Sequence, residues 1–204
     1  MYGHHAQVAT PNDPATSRLG ESFYRFWPRT VIGTFKSAWE IETRRVNRMK
    51  KPVWSIHNRV LMGAIYSGAL AVAILVGLGP KAFAFFIGQS IIAFSLLEVV
   101  NYLEHYGLER REVANGKYEI VNPLHSWNAS NWITNYFLFH LQRHSDHHAY
   151  AGRRYQILRH FDESPQLPTG YAGMVLLALI PPLWFAVMDP KVEAIRNRAE
   201  PLAA

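Results

Sequence analysis

Val60-Leu61-Met62-Gly63-Ala64-Ile65-Tyr66-Ser67-Gly68-Ala69-Leu70-Ala71-Val72-Ala73-Ile74-Leu75-Val76-Gly77-Leu78-Gly79-Pro80 is a run of 21 residues without a charge. As a helix rising 1.5 Å per residue it reaches about 31 Å, the thickness of a bilayer's hydrocarbon core. Gly77-Leu78-Gly79-Pro80-Lys81 reads as a tight turn, and Ala82–Leu103 is a second apolar run, interrupted only by Glu98. Two runs joined so closely predict a transmembrane hairpin, with spans at about 60–80 and 82–103. A buried soluble hairpin is the competing reading, but a chain of 204 residues has little protein with which to cover two such spans.

The flanks set the orientation. Between 36 and 59 lie seven bases (Lys36, Arg44, Arg45, Arg48, Lys50, Lys51, Arg59) and two acids (Glu40, Glu42). That local excess of five supplies most of the chain's net charge of +6. By the positive-inside rule the basic block is cytoplasmic, and a hairpin that goes out and returns leaves residues 104–170 on the same side. Topology and anionic headgroups therefore account for the charge. A nucleic-acid partner would need a basic patch within a recognisable module, and none is visible.

Outward from the hairpin, residues 23–48 read as a helix mixing aromatics with bases (Phe23, Phe26, Trp27, Phe35, Trp39, Arg44, Arg45). Residues 1–22 are polar and turn-prone, with Asp13 placed to cap a helix whose first residue is Pro14. No charged and apolar leader opens the chain, so a secretory signal is not expected. A third apolar run, about 171–188, contains Pro181-Pro182. Tandem proline breaks a spanning helix, so this run is read as interfacial or re-entrant. Segregation of these runs from polar stretches is hidden in a mean hydropathy of −0.07.

The chain holds ten His and no Cys. Without Cys it forms no disulfide, thiolate nucleophile, Cys zinc site or iron–sulfur cluster of its own. His140-Leu141-Gln142-Arg143-His144-Ser145-Asp146-His147-His148 places His140, His144, His147 and His148 at offsets 0, 4, 7 and 8, one face of a helix. Imidazoles gathered on one face suit a metal with open positions; a merely polar helix surface is the bland alternative. Arg143 and Asp146 fall elsewhere on the helix and suit supporting roles. At the end of the second run, Glu98, Asn101 and His105 share a face at offsets 0, 3 and 7. A carboxylate inside a membrane helix is costly and usually functional, here in accepting a ligand His N–H or tuning its charge. Gly3-His4-His5 at the start is either a chance pair or a further ligand pair. His125 and His160 are single and read as supporting or structural, and His57 as a surface residue.

Three of these segments carry a family resemblance. Gly3-His4-His5 with Ala9-Thr10-Pro11, Asn101-Tyr102-Leu103-Glu104-His105-Tyr106-Gly107-Leu108, and Leu141 to Ala149 resemble the membrane-bound alkane 1-monooxygenases, and Pro165-Gln166-Leu167-Pro168-Thr169-Gly170-Tyr171 fits them too. Xylene monooxygenase is the near relative, and membrane desaturases share only the general His boxes. The resemblance implies an all-α, integral-membrane helical protein, a transmembrane hairpin with cytoplasmic His-rich helices, of the fatty-acid-hydroxylase/desaturase-like non-haem diiron fold. It implies O2-dependent terminal hydroxylation of alkanes at two Fe ions in the inner membrane, with the metal site facing the cytoplasm. It also implies electrons from rubredoxin and rubredoxin reductase, which a chain without Cys must obtain from separate proteins.

Carried over on the matching positions, the implied metal ligands are His4, His5, His105, His144, His147 and His148. Supporting candidates are Glu98, Asn101, Glu104, His125, His140, Asp146 and His160. The family's first His box is absent, and the first His of the second box would fall one residue before Met1. The whole chain is therefore expected to be a single partial hydroxylase domain, the C-terminal half of such an enzyme. An aromatic-methyl hydroxylase, or an inactive piece lacking the first box, are the alternatives. Phe83, Phe85, Phe86 and Phe94 either line an apolar substrate channel or face lipid.

Overall fold

A computed structural model describes residues 3–199. The described helices are α1 (His4–Gln7), α2 (Phe23–Arg48), α3 (Arg59–Leu78), α4 (Pro80–His105), α5 (Trp132–Phe137), α6 (His144–Ala149), α7 (Tyr171–Ala178) and α8 (Pro181–Ala199). Strands β1 (Glu112–Ala114) and β2 (Lys117–Tyr118) pair antiparallel across Gly116. The chain divides into two compact units: Val31–Leu97, and the described residues up to Thr30 together with those from Glu98 onward.

In the 31–97 unit, α3 begins and ends, and α4 begins, where local chemistry dictates. Asn58 caps α3 by accepting the Leu61 N–H at 3.1 Å. The helix stops at Gly79, whose φ of 85° an L side chain resists, and Pro80 starts α4 at the position where its missing N–H costs nothing. The turn expected over 77–81 is thus a single residue. No residue of α3 is buried, and Leu70, Val72, Val76 and Phe85 are exposed. Both helices are long and apolar enough to cross a bilayer. Ahead of α3, the Arg45 guanidinium donates to both Glu42 oxygens, and Glu42 Oε1 also accepts the Arg59 N–H at 2.6 Å.

The other unit has an interior. Phe26, Tyr102, Leu103, Tyr106, Trp127, Met174, Trp184 and Met188 are buried together. The Trp184 ring lies 4.9 Å from Tyr102 and 5.2 Å from Tyr106, within the range that favours tilted aromatic pairs. Hydrogen bonds to main-chain carbonyls hold residues 17–21 against the end of α4. Ser17 Oγ donates to the Tyr102 carbonyl at 2.6 Å, Tyr102 Oη to the Glu21 carbonyl at 2.7 Å, and the Gly107 N–H to the Ser17 carbonyl at 3.0 Å. The Arg110 N–H donates to the Ala9 carbonyl at 2.7 Å. These bonds carry the N-terminal histidines to the end of α4.

Two sequence expectations change. Asp13 caps no helix: residues 11–16 are turns, and its carboxylate accepts from Ala15 N and Thr16 Oγ1 instead. His140 is not on the helix of the other histidines. Phe139 and His140 both take left-handed backbone, φ 51° and 59°, and α6 begins only at His144. The cause is local, since the His140 N–H closes back on the Asn135 carbonyl at 2.8 Å and ends the preceding turn. The 171–188 run is divided, as tandem proline predicts, with α7 ending at Ala178 and α8 starting at Pro181. Eight residues give α7 about 12 Å, too short to span a bilayer. The small β1–β2 hairpin had no clear alternating pattern to announce it.

Candidate metal centre

His105 is the last residue of α4, and His144, His147 and His148 lie on α6. Two anchors fix α6. Asn128 Oδ1 accepts the Ser145 N–H at 2.8 Å in the first turn, satisfying one of the free donors there. Asp146, fully buried, takes Arg153 Nη1 at 2.7 Å on each oxygen and the N–H and guanidinium of Arg159 at 2.9 and 3.1 Å. The two arginines and the Arg159 N–H hold its carboxyl below the usual range although burial acts to raise it. Asp146 thus orients the helix that carries three histidines.

All six proposed ligands form one contiguous group. His4, His105, His144 and His148 each offer a ring nitrogen, and these four atoms lie within 4.8 Å of one another. His144 Nε2 sits 3.2 Å from His105 Nε2 and 2.9 Å from His148 Nε2. The His4 ring lies 4.8 Å from His105 and 4.9 Å from His148. Beside this group, the His5 ring is 4.7 Å from both His147 and His148.

The donor set fits a metal ion. One proton between three converging Nε2 atoms serves one pair and leaves the third lone pair unmet. His4 Nε2 and the Nδ1 atoms of His5, His105, His144 and His148 are buried with no hydrogen-bond partner among the described residues. Orphaned buried nitrogens are expensive unless something else satisfies them. Metal–imidazole bonds of about 2.0–2.1 Å put ligands on opposite sides of one ion roughly 4.2 Å apart, within the span of this group. Burial, reinforced by neighbouring imidazoles, keeps His144 and His148 well below the ordinary histidine pKa. Burial and then His147 and His4 bring His5 down to about 4, and His147 is lowered chiefly by burial. Such histidines are neutral near pH 7, the form that ligates.

Supporting residues sort differently from the sequence expectation. Glu104 is buried, with Oε1 2.6 Å from the Tyr171 hydroxyl that donates to it and 3.1 Å from His144 Nδ1. The second contact is close but not aligned as a hydrogen bond. Glu98 meets none of the histidines in its hydrogen bonds: it accepts from Thr30 Oγ1 at 3.0 Å and Asn101 Nδ2 at 3.3 Å. His125 is held by Glu119 at 3.2 Å and the Asn122 N–H at 3.1 Å. His160 faces solvent between Ser130 and Asp162. Neither it nor His140 belongs to the cluster. Asp13 and Tyr171 were not anticipated. Asp13 Oδ2 lies 2.7 Å from His4 Nδ1 and accepts from Thr16 Oγ1 at 2.6 Å. Burial alone would raise the Asp13 carboxyl, but His4 and the Thr16 hydroxyl hold it below the usual range. Only the presence of a carboxylate near a His pair could have signalled it.

A family model described as fatty acid desaturase matches residues 2–178. Over 191 residues the chain is 54% identical to the alkane 1-monooxygenase of Acinetobacter baylyi, covering 94% of this chain and 47% of that protein. It is 54% identical over 192 residues to alkane 1-monooxygenase 2 of Pseudomonas aeruginosa, covering 94% and 51%. With the xylene/toluene monooxygenase hydroxylase component of Pseudomonas putida the identity is 31% over 193 residues, covering 93% and 50%. The chain spans about half the length of the curated relatives it matches.

Proposed function

Because the chain belongs to the fatty acid desaturase family, we propose that it acts as an alkane 1-monooxygenase, hydroxylating the terminal methyl group of an alkane with O2 at two non-haem irons. The observation that carries this reading is the convergence of four ring nitrogens, from His4, His105, His144 and His148, within 4.8 Å. These four hold one iron, and His5 with His147 are the ligands left for the second. Bound there, iron supplies the activation of O2 that hydroxylation of an unactivated C–H bond requires.

The chain's own residues do the positioning. Asp146, clamped by Arg153 and Arg159, holds α6 so that its three imidazoles turn toward His105 and the N-terminal pair. Tyr171 fixes the Glu104 carboxylate beside His144. The electrons come from rubredoxin with its reductase, since these 204 residues include no Cys to hold such an iron centre. In this reading the protein is a multi-pass protein of the inner membrane with the basic block and the histidines on the cytoplasmic side; two helices long and apolar enough to cross a bilayer and the positive-inside rule support it.

Six imidazoles are few for two metals that also keep positions open. The 204-residue chain alone is accordingly expected to bind fewer than two irons, as measured by metal analysis. The activity is tested by fusing this chain behind the first half of the Acinetobacter baylyi relative and supplying octane, O2, rubredoxin, its reductase and NADH. The expected product is 1-octanol. Two irons per fusion chain without product would overturn the reading. Hydroxylation of xylene but not octane would favour the aromatic-methyl alternative, which the 31% relative supports.

A further inference from the structure

His4 sits in a weak setting for a ligand. Its helix has four residues, and Gly3 offers no side chain to cap it. Its ring nevertheless packs at 4.8 and 4.9 Å from His105 and His148, with Nε2 buried and without a protein partner. What distinguishes it within the four-nitrogen group is its other nitrogen. Nδ1 of His105, His144 and His148 makes no aligned hydrogen bond among the described residues, although Glu104 Oε1 approaches His144 Nδ1 to 3.1 Å, whereas His4 Nδ1 is hydrogen-bonded to Asp13 Oδ2 at 2.7 Å.

Asp13 is itself tied down. It is 3% exposed, its Oδ1 accepts the Ala15 N–H at 3.2 Å, and its Oδ2 accepts the Thr16 hydroxyl at 2.6 Å. Thr16 Oγ1 in turn accepts the Ala9 N–H at 2.9 Å. The chain Ala9 N–H to Thr16 to Asp13 leaves the carboxylate one remaining task, and His4 Nδ1–H fills it. A carboxylate accepts but does not donate, so it selects the tautomer with hydrogen on Nδ1 and the lone pair on Nε2.

We propose that Asp13 is the positioning residue that sets the tautomer of His4, holding its Nε2 lone pair toward His105 and His148. The proposal rests on the metal reading of the cluster but makes a claim of its own about where one hydrogen sits. Carboxylate–histidine pairing of this kind orients a ligand ring and raises its basicity.

The test uses the full chain in detergent, labelled with 15N-histidine and free of metal. Long-range 1H–15N correlation reads the tautomer of each imidazole, and loss of one pattern in His4→Gln assigns His4. The expected result is hydrogen on Nδ1 of His4 in the unsubstituted chain and on Nε2 in Asp13→Asn, whose amide can donate to Nδ1. Hydrogen on Nε2 in the unsubstituted chain overturns the proposal, and so does the same tautomer in both. If Asp13→Asn fails to fold, the first spectrum alone decides. Titration with Co(II), followed by its visible absorption, supplies the second readout. Asp13→Asn should bind about 10–100-fold more weakly, the usual cost of losing such a partner. A chain that shows the Nδ1–H tautomer but takes up no Co(II) would overturn the metal reading instead.

Discussion

The two units of the molecule use the same apolar residue types in opposite ways. In the 31–97 unit, Val76 is 80% exposed and Phe85 76%, and no residue of α3 is buried. In the other unit, Trp184, Met188 and Leu103 are wholly enclosed, and so are His105, Gln142 and Asp146. A surface like that of α3 is unfavourable in water and natural in hydrocarbon. The core around Trp184 instead gathers aromatic and aliphatic side chains about the end of α4. The difference teaches that the clustered histidines and the apolar helix without a buried residue belong to different units. The enclosed unit also exposes apolar residues: within 131–142 Asn135 and Gln142 are buried while Trp132, Ile133, Tyr136 and Phe137 are exposed.

The largest expected effect falls on the histidines. His148→Ala should abolish tight metal uptake, exceeding the ~10–100-fold cost of losing a mere supporting partner, with Co(II) stoichiometry as the measurement. Retained stoichiometric uptake would break the view that this unit is built around a metal. Next, Trp184→Ala removes a fully enclosed ring and should cost about 3–5 kcal/mol in denaturant unfolding of the detergent-solubilised chain. The same kind of truncation on α3, where no residue is buried, should be far cheaper.

Ala69→Arg near the middle of α3 sharpens the contrast from the other side. It should disfavour membrane insertion by about 2.5–3.5 kcal/mol, read from the inserted fraction in a translocon assay. Unchanged insertion would count against a span there. The smallest effect concerns Glu42. The Arg45 guanidinium, with help from the Arg59 N–H and against burial, brings its carboxyl to about 2, from an ordinary 4.5. A depressed folded pKa gives stability that is full above about 4.5 and is lost as pH falls toward 2. Glu42→Gln should flatten that part of the melting-temperature profile between pH 5 and pH 2 and leave neutral pH little changed. An unaltered acid slope would refute the assignment.

Much of this arrangement was legible in the sequence, and for identifiable reasons. The runs over 60–80 and 82–103 needed no periodicity, because an uninterrupted apolar stretch of that length has few alternatives to a helix in lipid. Gly79 and Pro80 marked the turn by their own backbone limits. The six histidines of the three quoted segments do lie together. Helical spacing misled at His140, because offsets 0 and 4 presuppose a continuous helix, and the bond from His140 N to the Asn135 carbonyl breaks it. Glu98 was expected to serve a histidine on the strength of a shared helix face, yet Thr30, 68 residues away in sequence, takes that oxygen. Asp13 and Tyr171 acquire their partners, His4 and Glu104, only through tertiary packing, which no spacing rule encodes.

Gly107 closes the segment Glu104-His105-Tyr106-Gly107, where chemistry draws attention to the first two residues. Its φ is +69°, and a Cβ there would stand 2.9 Å from both methyl carbons of Val192 on α8. Two separate constraints therefore meet at one position, one of backbone and one of clearance. Shrinking Val192 relieves the second and leaves the first. Positions 107 and 192 are thus coupled for substitution across 85 residues of sequence, and the segment carries the tolerance of a joint as well as the histidine beside it.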